Sequence, residues 1–260
     1  MGKTLDVTIL GSGTSTGVPV IGCSCQVCKS TNPKNKRSRS SILIHHRPSD
    51  QVILVDTSPD MRMQLLRENV SRVDHILYTH THADHLHGFD DLRALFFHMK
   101  RPIHCWAKPE DIVDIKTKFS YAFKKTNYTG AIPQVILHEI TEQKFYLNSL
   151  EVECIKLPHG AMESLAFKIG KFAYATDFKS FSSKDKDMWK GRVSHMIASS
   201  ATKKPHPSHS CLAETLSLFK ELKVEKSFIT HMSHDFNQDE EKELVPENVF
   251  LSFDGLSFSL

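Results

Sequence analysis

Apolar residues along this chain gather into short, β-branched-rich runs, each closed by a polar or turn-forming residue. Val52-Ile-Leu-Val55 stops at Asp56, and His75-Ile-Leu-Tyr-Thr79 runs into a histidine-rich stretch. Such runs predict strands over Leu5–Leu10, Ser41–His45, Val52–Asp56, His75–Thr79, Ile103–Ala107, Glu151–Leu157, Ala166–Ile169, Phe172–Thr176, His195–Ser199, Lys226–Thr230 and Val249–Phe253. Elsewhere apolar positions recur every three to four residues, which predicts helices over Met61–Asn69, Asp90–Met99, Glu110–Phe123 and Leu212–Leu222. Strands interleaved with helices make an α/β protein. Phe253-Asp254-Gly255-Leu256 predicts a two-residue hairpin turn, because Asp-Gly supplies the positive φ that such turns need. The acidic run Asp239–Glu241 predicts a helix start. There is no linker, composition shift or repeat of about 20–50 residues, so one domain over 1–260 is expected.

The 260 residues are 40% hydrophobic and 24% charged, enough apolar material for a sizeable core and unlike a disordered or fibrous chain. No apolar run approaches the roughly 18 residues of a membrane helix. Asp6 and Gly11-Ser-Gly13 interrupt the start before a secretory signal could form. The expectation is a cytoplasmic protein without membrane contact. Six cysteines then point to reduced thiols or metal ligands rather than disulfides. The formal charge of +3 is too slight to argue for a nucleic-acid partner, which usually meets a clustered basic face. The basic segment Lys34–Arg39 reads as a solvated face, with phosphate steering as its alternative. Oligomeric state stays open, with a homodimer among the options.

Histidine, at 16 residues, changes the picture. His80-Thr-His82-Ala-Asp84-His85 directly follows a predicted strand, so imidazoles at alternate loop positions can converge with the next turn's carboxylate and imidazole. Four ligands in six residues imply two adjacent metals; the plain alternative is a solvated histidine-rich loop. A second cluster, Cys23-Ser-Cys25-Gln-Val-Cys28, offers three thiolates, and one imidazole would close a tetrahedral zinc site. His234, three residues beyond His231, is the candidate fourth ligand, which would staple the N-terminal loop, residues 11–30, beside the other centre. Reduced structural cysteines are the competing reading. Gly11-Ser-Gly13-Thr-Ser-Thr-Gly17 is not a dinucleotide fingerprint, since its third glycine comes one residue late and Pro19 follows where a helix should begin.

His80-x-His82-x-Asp84-His85 resembles the signature of the metallo-β-lactamase superfamily. The resemblance implies a four-layer αββα sandwich with a dinuclear centre. His80, His82 and His159 would hold one ion, Asp84, His85 and His231 the other, and Asp177 would bridge them, with Asp56 orienting ligands from behind. Gly11-x-Gly13-Thr-Ser-x-Gly17-Val-Pro19, running into the cysteine cluster, is similar to the PhnP-type cyclic phosphodiesterase branch. His87-Gly-Phe-Asp90-Asp-Leu-Arg93, Thr230-His231-x-Ser-His234 and Phe253-Asp-Gly255 resemble that branch too. It implies a metal-dependent hydrolase of small, cyclic phosphodiesters, with a hydroxide bridging two zinc or manganese ions, one structural zinc, and His209 assisting catalysis. His206 competes for that last role. Asp56-Thr-Ser58-Pro59 departs from the branch's usual Asp-Ala-Gly or Asp-Thr-Gly, which leaves substrate contacts near Ser58 open. A tRNA 3′-end endonuclease of the superfamily and a PqqB-like coenzyme-biosynthesis protein are the alternatives.

Overall fold

The computed structural model describes residues 4–124 and 132–260. Its strands, in chain order, are β1 Leu5–Gly11, β2 Ser41–His46, β3 Gln51–Val55, β4 His75–Leu77, β5 Ile103–Ala107, β6 Val135–Glu139, β7 Lys144–Leu147, β8 Leu150–His159, β9 Met162–Ile169, β10 Phe172–Ala175, β11 His195–Ser199, β12 Lys226–Thr230, β13 Val249–Leu251 and β14 Ser257–Ser259. The helices are α1 Gln26–Lys29, α2 Met61–Arg67, α3 Ala83–Leu86, α4 Leu92–Met99, α5 Pro109–Lys118, α6 Ser120–Phe123, α7 Ser183–Trp189, α8 Leu212–Leu222 and α9 Glu241–Leu244.

Two seven-stranded sheets run β14-β1-β2-β3-β4-β5-β6 and β13-β12-β11-β10-β9-β8-β7. Each is antiparallel at one end and parallel at the other: β3 to β6 are parallel in the first, β10 to β13 in the second. Parallel neighbours need helical crossovers, and those helices cover the outer faces. Alternation along the strands serves both sides. Ile53, Val55 and Leu77 face the second sheet's Leu165, Phe167, Tyr174 and Phe228, whereas Leu54 and Ile76 face Leu65, Leu92 and Ile112 beneath the helices. On the other flank Ala173, Met196 and Ile229 meet Trp189, Leu218 and Leu222. The result is the four-layer αββα sandwich.

Several elements differ from the pattern-based expectation. β6, whose apolar run is only Val135, Ile136 and Leu137, and β7, which has no such run, are half exposed at the sheet edges, and β14 is a three-residue edge strand. α7 is highly charged, with Trp189 its buried residue; its signal is the capping box between Ser182 and Asp185. The helix expected over Glu110–Phe123 breaks at Phe119, whose φ of −112° and ψ of 39° leave the helical region. A helix-forming turn does follow Gln238–Glu240, as the acidic run predicts. Asp254-Gly255 does turn, with Gly255 at φ 91°, but it makes no hairpin. β13 and β14 belong to different sheets, so the turn carries the chain across the sandwich. Partly buried Asp254 fixes that crossing by accepting hydrogen bonds from the N–H and hydroxyl of Ser12 and of Ser38. Among the described residues no helix is long and apolar enough to cross a membrane.

Candidate metal centre

The C-terminal ends of the parallel strands converge on one edge of the sandwich. Asp56 follows β3, the His80–His85 loop follows β4, Asp177 follows β10 and His231 follows β12, while His159 ends β8. A direct link ties the sheets there, the N–H of Leu165 donating to the carbonyl of Thr79 at 2.8 Å. Asp56, Asp177 and His231 all take positive φ, at 64°, 49° and 54°. For non-glycine residues such backbone is strained; Asp177 and His231 reach the pocket, and Asp56 lies behind it against Thr79 and His85.

Two donor groups result: His80, His82, His159 and Asp177, and Asp84, His85, Asp177 and His231. Asp177 belongs to both. Its Oδ2 lies 3.6 Å from Nε2 of His80, 3.5 Å from Nε2 of His159 and 3.4 Å from Nε2 of His85, and its Oδ1 lies 2.9 Å from Nε2 of His231. Asp84 Oδ2 sits 3.2 Å from His85 Nε2 and 3.4 Å from His231 Nε2. Nδ1 of His82 is 3.0 Å from His80 Nε2 and 3.2 Å from His159 Nε2. Ligand atoms about 2.0–2.1 Å from a tetrahedral ion stand roughly 3.3 Å apart, which is the spacing of these contacts.

The hydrogen bonds behind the cluster fix where the lone pairs point. Thr79 spends its hydroxyl proton on Asp56 Oδ2 at 2.8 Å, so its oxygen accepts from Nδ1–H of His80 at 3.0 Å. Nδ1–H of His85 donates to Asp56 Oδ2 at 2.7 Å, and Nδ1–H of His159 donates to the carbonyl of Ser208 at 3.1 Å. All three imidazoles therefore turn an unprotonated Nε2 toward the centre when neutral. Buried Nε2 of His85 has no hydrogen-bond partner, as expected of a nitrogen awaiting an ion. The site fits a pair of divalent cations.

Electrostatics agree. Burial raises the Asp84 and Asp177 carboxyls, but His85 and His231 beside them outweigh it and hold both below the ordinary carboxylate range. Burial, reinforced by neighbouring imidazoles, drives His80 well below its usual value and keeps it neutral. Burial opposes charge on His85, yet Asp84, Asp177 and Asp56 prevail and raise it well above the ordinary range. A cation binding there takes the place of that proton.

A cavity of about 420 Å³ opens over the two groups, walled by Ser15, His82, Asp84, His159, Met162 and His209 among others. His209 packs edge-on to His159 with ring centroids 4.8 Å apart and stacks on His231 at 5.5 Å. His206 stands behind it, 5.0 Å away, its Nδ1 accepting from the N–H of Ser208. The structure thus puts His209, rather than His206, in the wall. Thr79 and Ser208 escape a motif search, and Ser15, though inside the glycine-loop motif, is not singled out by it. Ser15 rides on the glycine loop, which lacks a dinucleotide pattern but bears directly on this pocket. Thr79 and Ser208 act through a hydroxyl and a carbonyl that no spacing rule flags. Asp56 is buried and committed to Thr79 and His85.

The cysteine loop forms a third donor group. Sγ of Cys23, Cys25 and Cys28 lie 3.3, 3.7 and 3.4 Å from Nδ1 of His234. With Zn–S near 2.3 Å and Zn–N near 2.1 Å, tetrahedral edges of about 3.6 Å follow, so this group could close around one zinc. His231 and His234 share a turn whose Met232 bridges to Gly13. A Cβ on Gly13 would meet the carbonyl of Arg37 at 2.9 Å, so the close approach of these segments requires glycine.

Sandwich and strand-end donor sets together define a hydrolase of the metallo-β-lactamase class. The beta-lactamase superfamily domain matches residues 51–232, and the chain belongs to that superfamily. Within it the chain falls in the PhnP-type branch. A solved diphosphatase of the PhnP family is 34% identical with a TM-score of 0.90, covering 98% of this chain and 97% of its own. Zinc-bound PqqB from Methylobacterium extorquens, at 16% identity and TM-score 0.79 over 98% of this chain and 100% of its own, shares the fold. So does the short form of human tRNase Z, at 16% and 0.71 over 98% of each chain. A Porphyromonas gingivalis (strain ATCC BAA-308 / W83) protein named octanoyltransferase is 34% identical over 250 residues, 95% of this chain and 50% of its own length. The chain spans about half the length of that curated relative.

Proposed function

We propose that this hydrolase is a metal-dependent phosphodiesterase acting on small, cyclic phosphodiesters. The observation that carries the reading is Asp177, shared by two donor groups on the floor of one small cavity. His80, His82 and His159 would hold one ion and Asp84, His85 and His231 the other. Zinc or manganese suits these nitrogen and oxygen donors. When bound, the two ions supply positive charge and Lewis acidity toward a phosphoryl group.

The chain's own residues shape what can react. Asp84 and Asp177 neutralise only half the charge of two dications, so the pocket keeps a positive surplus that suits a phosphodiester monoanion. A cavity of about 420 Å³ suits a small molecule. His209 stands in the wall to give a proton to the leaving oxygen. Burial pushes its pKa down to about 4 against the pull of Asp177; a bound anion beside it shifts it upward.

Phosphorus NMR of a cyclic ribose phosphodiester, incubated with zinc- or manganese-loaded protein, tests the reading. The expected result is ring opening to a monoester without inorganic phosphate, and a fall in kcat of about 100-fold or more in His209→Ala at unchanged metal content. An unaltered spectrum with either metal would contradict it. The relative named a diphosphatase favours a second substrate, a diphosphate ester, whose cleavage a parallel incubation with that ester would report by loss of its diphosphate resonances.

A further inference from the structure

Arg37 is a cation almost wholly inside the protein, 2% exposed. Its guanidinium keeps thin company. One terminal nitrogen donates to the carbonyl of Ser233 at 3.5 Å, the other to Asn35 Oδ1 at 3.2 Å, and Nε has no partner. Among the described residues no carboxylate lies within ion-pair distance of it. Asp254, whose charge acts on it from farther off, is occupied by Ser12 and Ser38 and paired with Arg67 at 3.5 Å. An uncompensated buried cation costs several kcal/mol, so a fold that keeps one has another source of negative charge nearby.

The backbone of Arg37 shows where that charge would be. Its N–H and carbonyl pair with Val18 at 2.7 and 2.8 Å, just ahead of the cysteine loop. Its guanidinium touches Ser233, the neighbour of His234, whose Nδ1 faces all three thiols. Lys36 comes from the same side, its Nζ donating to the carbonyl of Cys28 at 3.3 Å. Three thiolates and a neutral imidazole around one dication leave a net charge of minus one. The fold thus brings Arg37, with Lys36, to the segments that carry Cys28 and His234, a group that would turn negative on loading.

We propose that Arg37 is a positioning residue for the Cys23, Cys25, Cys28 and His234 site, supplying the countercharge that sets how tightly this site holds its ion. The proposal rests on reading that group as a zinc site. It has a sign that a purely structural role lacks. Without the ion the guanidinium is a burden, so its neutral replacement leaves the metal-free chain as stable as before or more so. With the ion, the same replacement weakens binding.

The test uses the full chain with cobalt in place of zinc, reading the thiolate-to-cobalt charge-transfer band during competition with a chelator. Thermal unfolding of the metal-free chain is measured in parallel. Arg37→Met is expected to lose about 10-fold or more in cobalt affinity, the usual scale for residues behind metal ligands, with no fall in metal-free stability. Arg37→Lys, which keeps the charge and loses the fork, is expected to retain most of the affinity; Arg37→Gln serves as the neutral variant should Arg37→Met not fold. Equal weakening in the Lys and neutral variants, or metal-free destabilisation that accounts for the whole loss, would overturn the role of Arg37 and leave the site standing. Absence of the charge-transfer band in the unaltered chain would remove the zinc site itself, and the proposal with it.

Discussion

Asp56 touches no candidate ion position directly, yet it receives the Thr79 N–H, the Thr79 hydroxyl and the His85 imidazole in one buried carboxylate. Through those bonds it aims His80 and His85 at once. Asp56→Asn keeps the volume but presents an amide N–H₂ where two donors already point. The expected outcome is a 10–100-fold loss in affinity for the active-site ions, read by chelator competition, with the fold intact by circular dichroism. At this scale much was legible in the sequence. His80, His82, Asp84 and His85 announce themselves by spacing, and His159, Asp177 and His231 follow from the family resemblance that this spacing carries, supported by their places at strand ends. Illegible were the positive φ values that aim Asp177 and His231, because a strained backbone is held by the surrounding packing and not by the residue itself. Thr79 was equally hidden, since a hydroxyl after a strand is common and only its neighbours give it direction.

Strands buried on both faces were the most plainly read from apolar pattern. β3, β4, β10, β11 and β12 are such strands, whereas β6, β7 and β14 lie at or near sheet edges, where one face meets solvent and the apolar signal thins. β4 to β6 carry another feature that no single run shows: His75, His104, Trp106 and His138 come together across them on one face of the sheet. Nε1–H of Trp106 donates to Nδ1 of His75 at 3.3 Å, and His104 Nδ1 faces His138 Nε2 at 2.8 Å. Burial, then repulsion from His104, pushes the pKa of His75 down to about 4. The unfolded chain takes up a proton at this residue near its ordinary value of about 6.5, before the folded chain can. Stability from this source is therefore full above that value and falls as pH drops from about 6.5 toward 4. Denaturant titrations at intervals across that window are expected to show a shallower decline for His75→Gln than for the unaltered chain; identical slopes would contradict the assignment.

Across the whole molecule, the two sheets repeat one plan of antiparallel and parallel halves, and the ligands gather where their parallel ends meet. The cysteine loop then joins the first part of the chain to the last, Cys28 to His234, across 206 positions. An ion that binds only the folded chain stabilises it by about 2.7 kcal/mol at a hundred times its dissociation constant, worth roughly 5–10 °C in a chain of this size. Cys25→Ser is accordingly expected to lower the unfolding midpoint by that amount and the metal content by one ion per chain, leaving the His/Asp centre loaded. Loss of all ions together would show instead that the two sites stand or fall as one. The Asp254 crossing shows the limit of local reading at this scale: Asp-Gly specifies a turn, but which sheet receives the next strand depends on Ser12 and Ser38, over 200 residues away.

In the proposed function, His80, His82, His159, Asp84, His85, His231 and Asp177 would hold two divalent ions, which would supply the charge and Lewis acidity for phosphodiester hydrolysis. Hydrolysis of a chromogenic phosphodiester, by zinc- or manganese-loaded protein and by Asp84→Ala under identical conditions, tests it most directly. Metal-dependent turnover is expected, falling by about 100-fold or more in the variant, the scale on which losing one member of a catalytic electrostatic site is felt. Undiminished turnover in Asp84→Ala, or no turnover from protein carrying both ions, would contradict it.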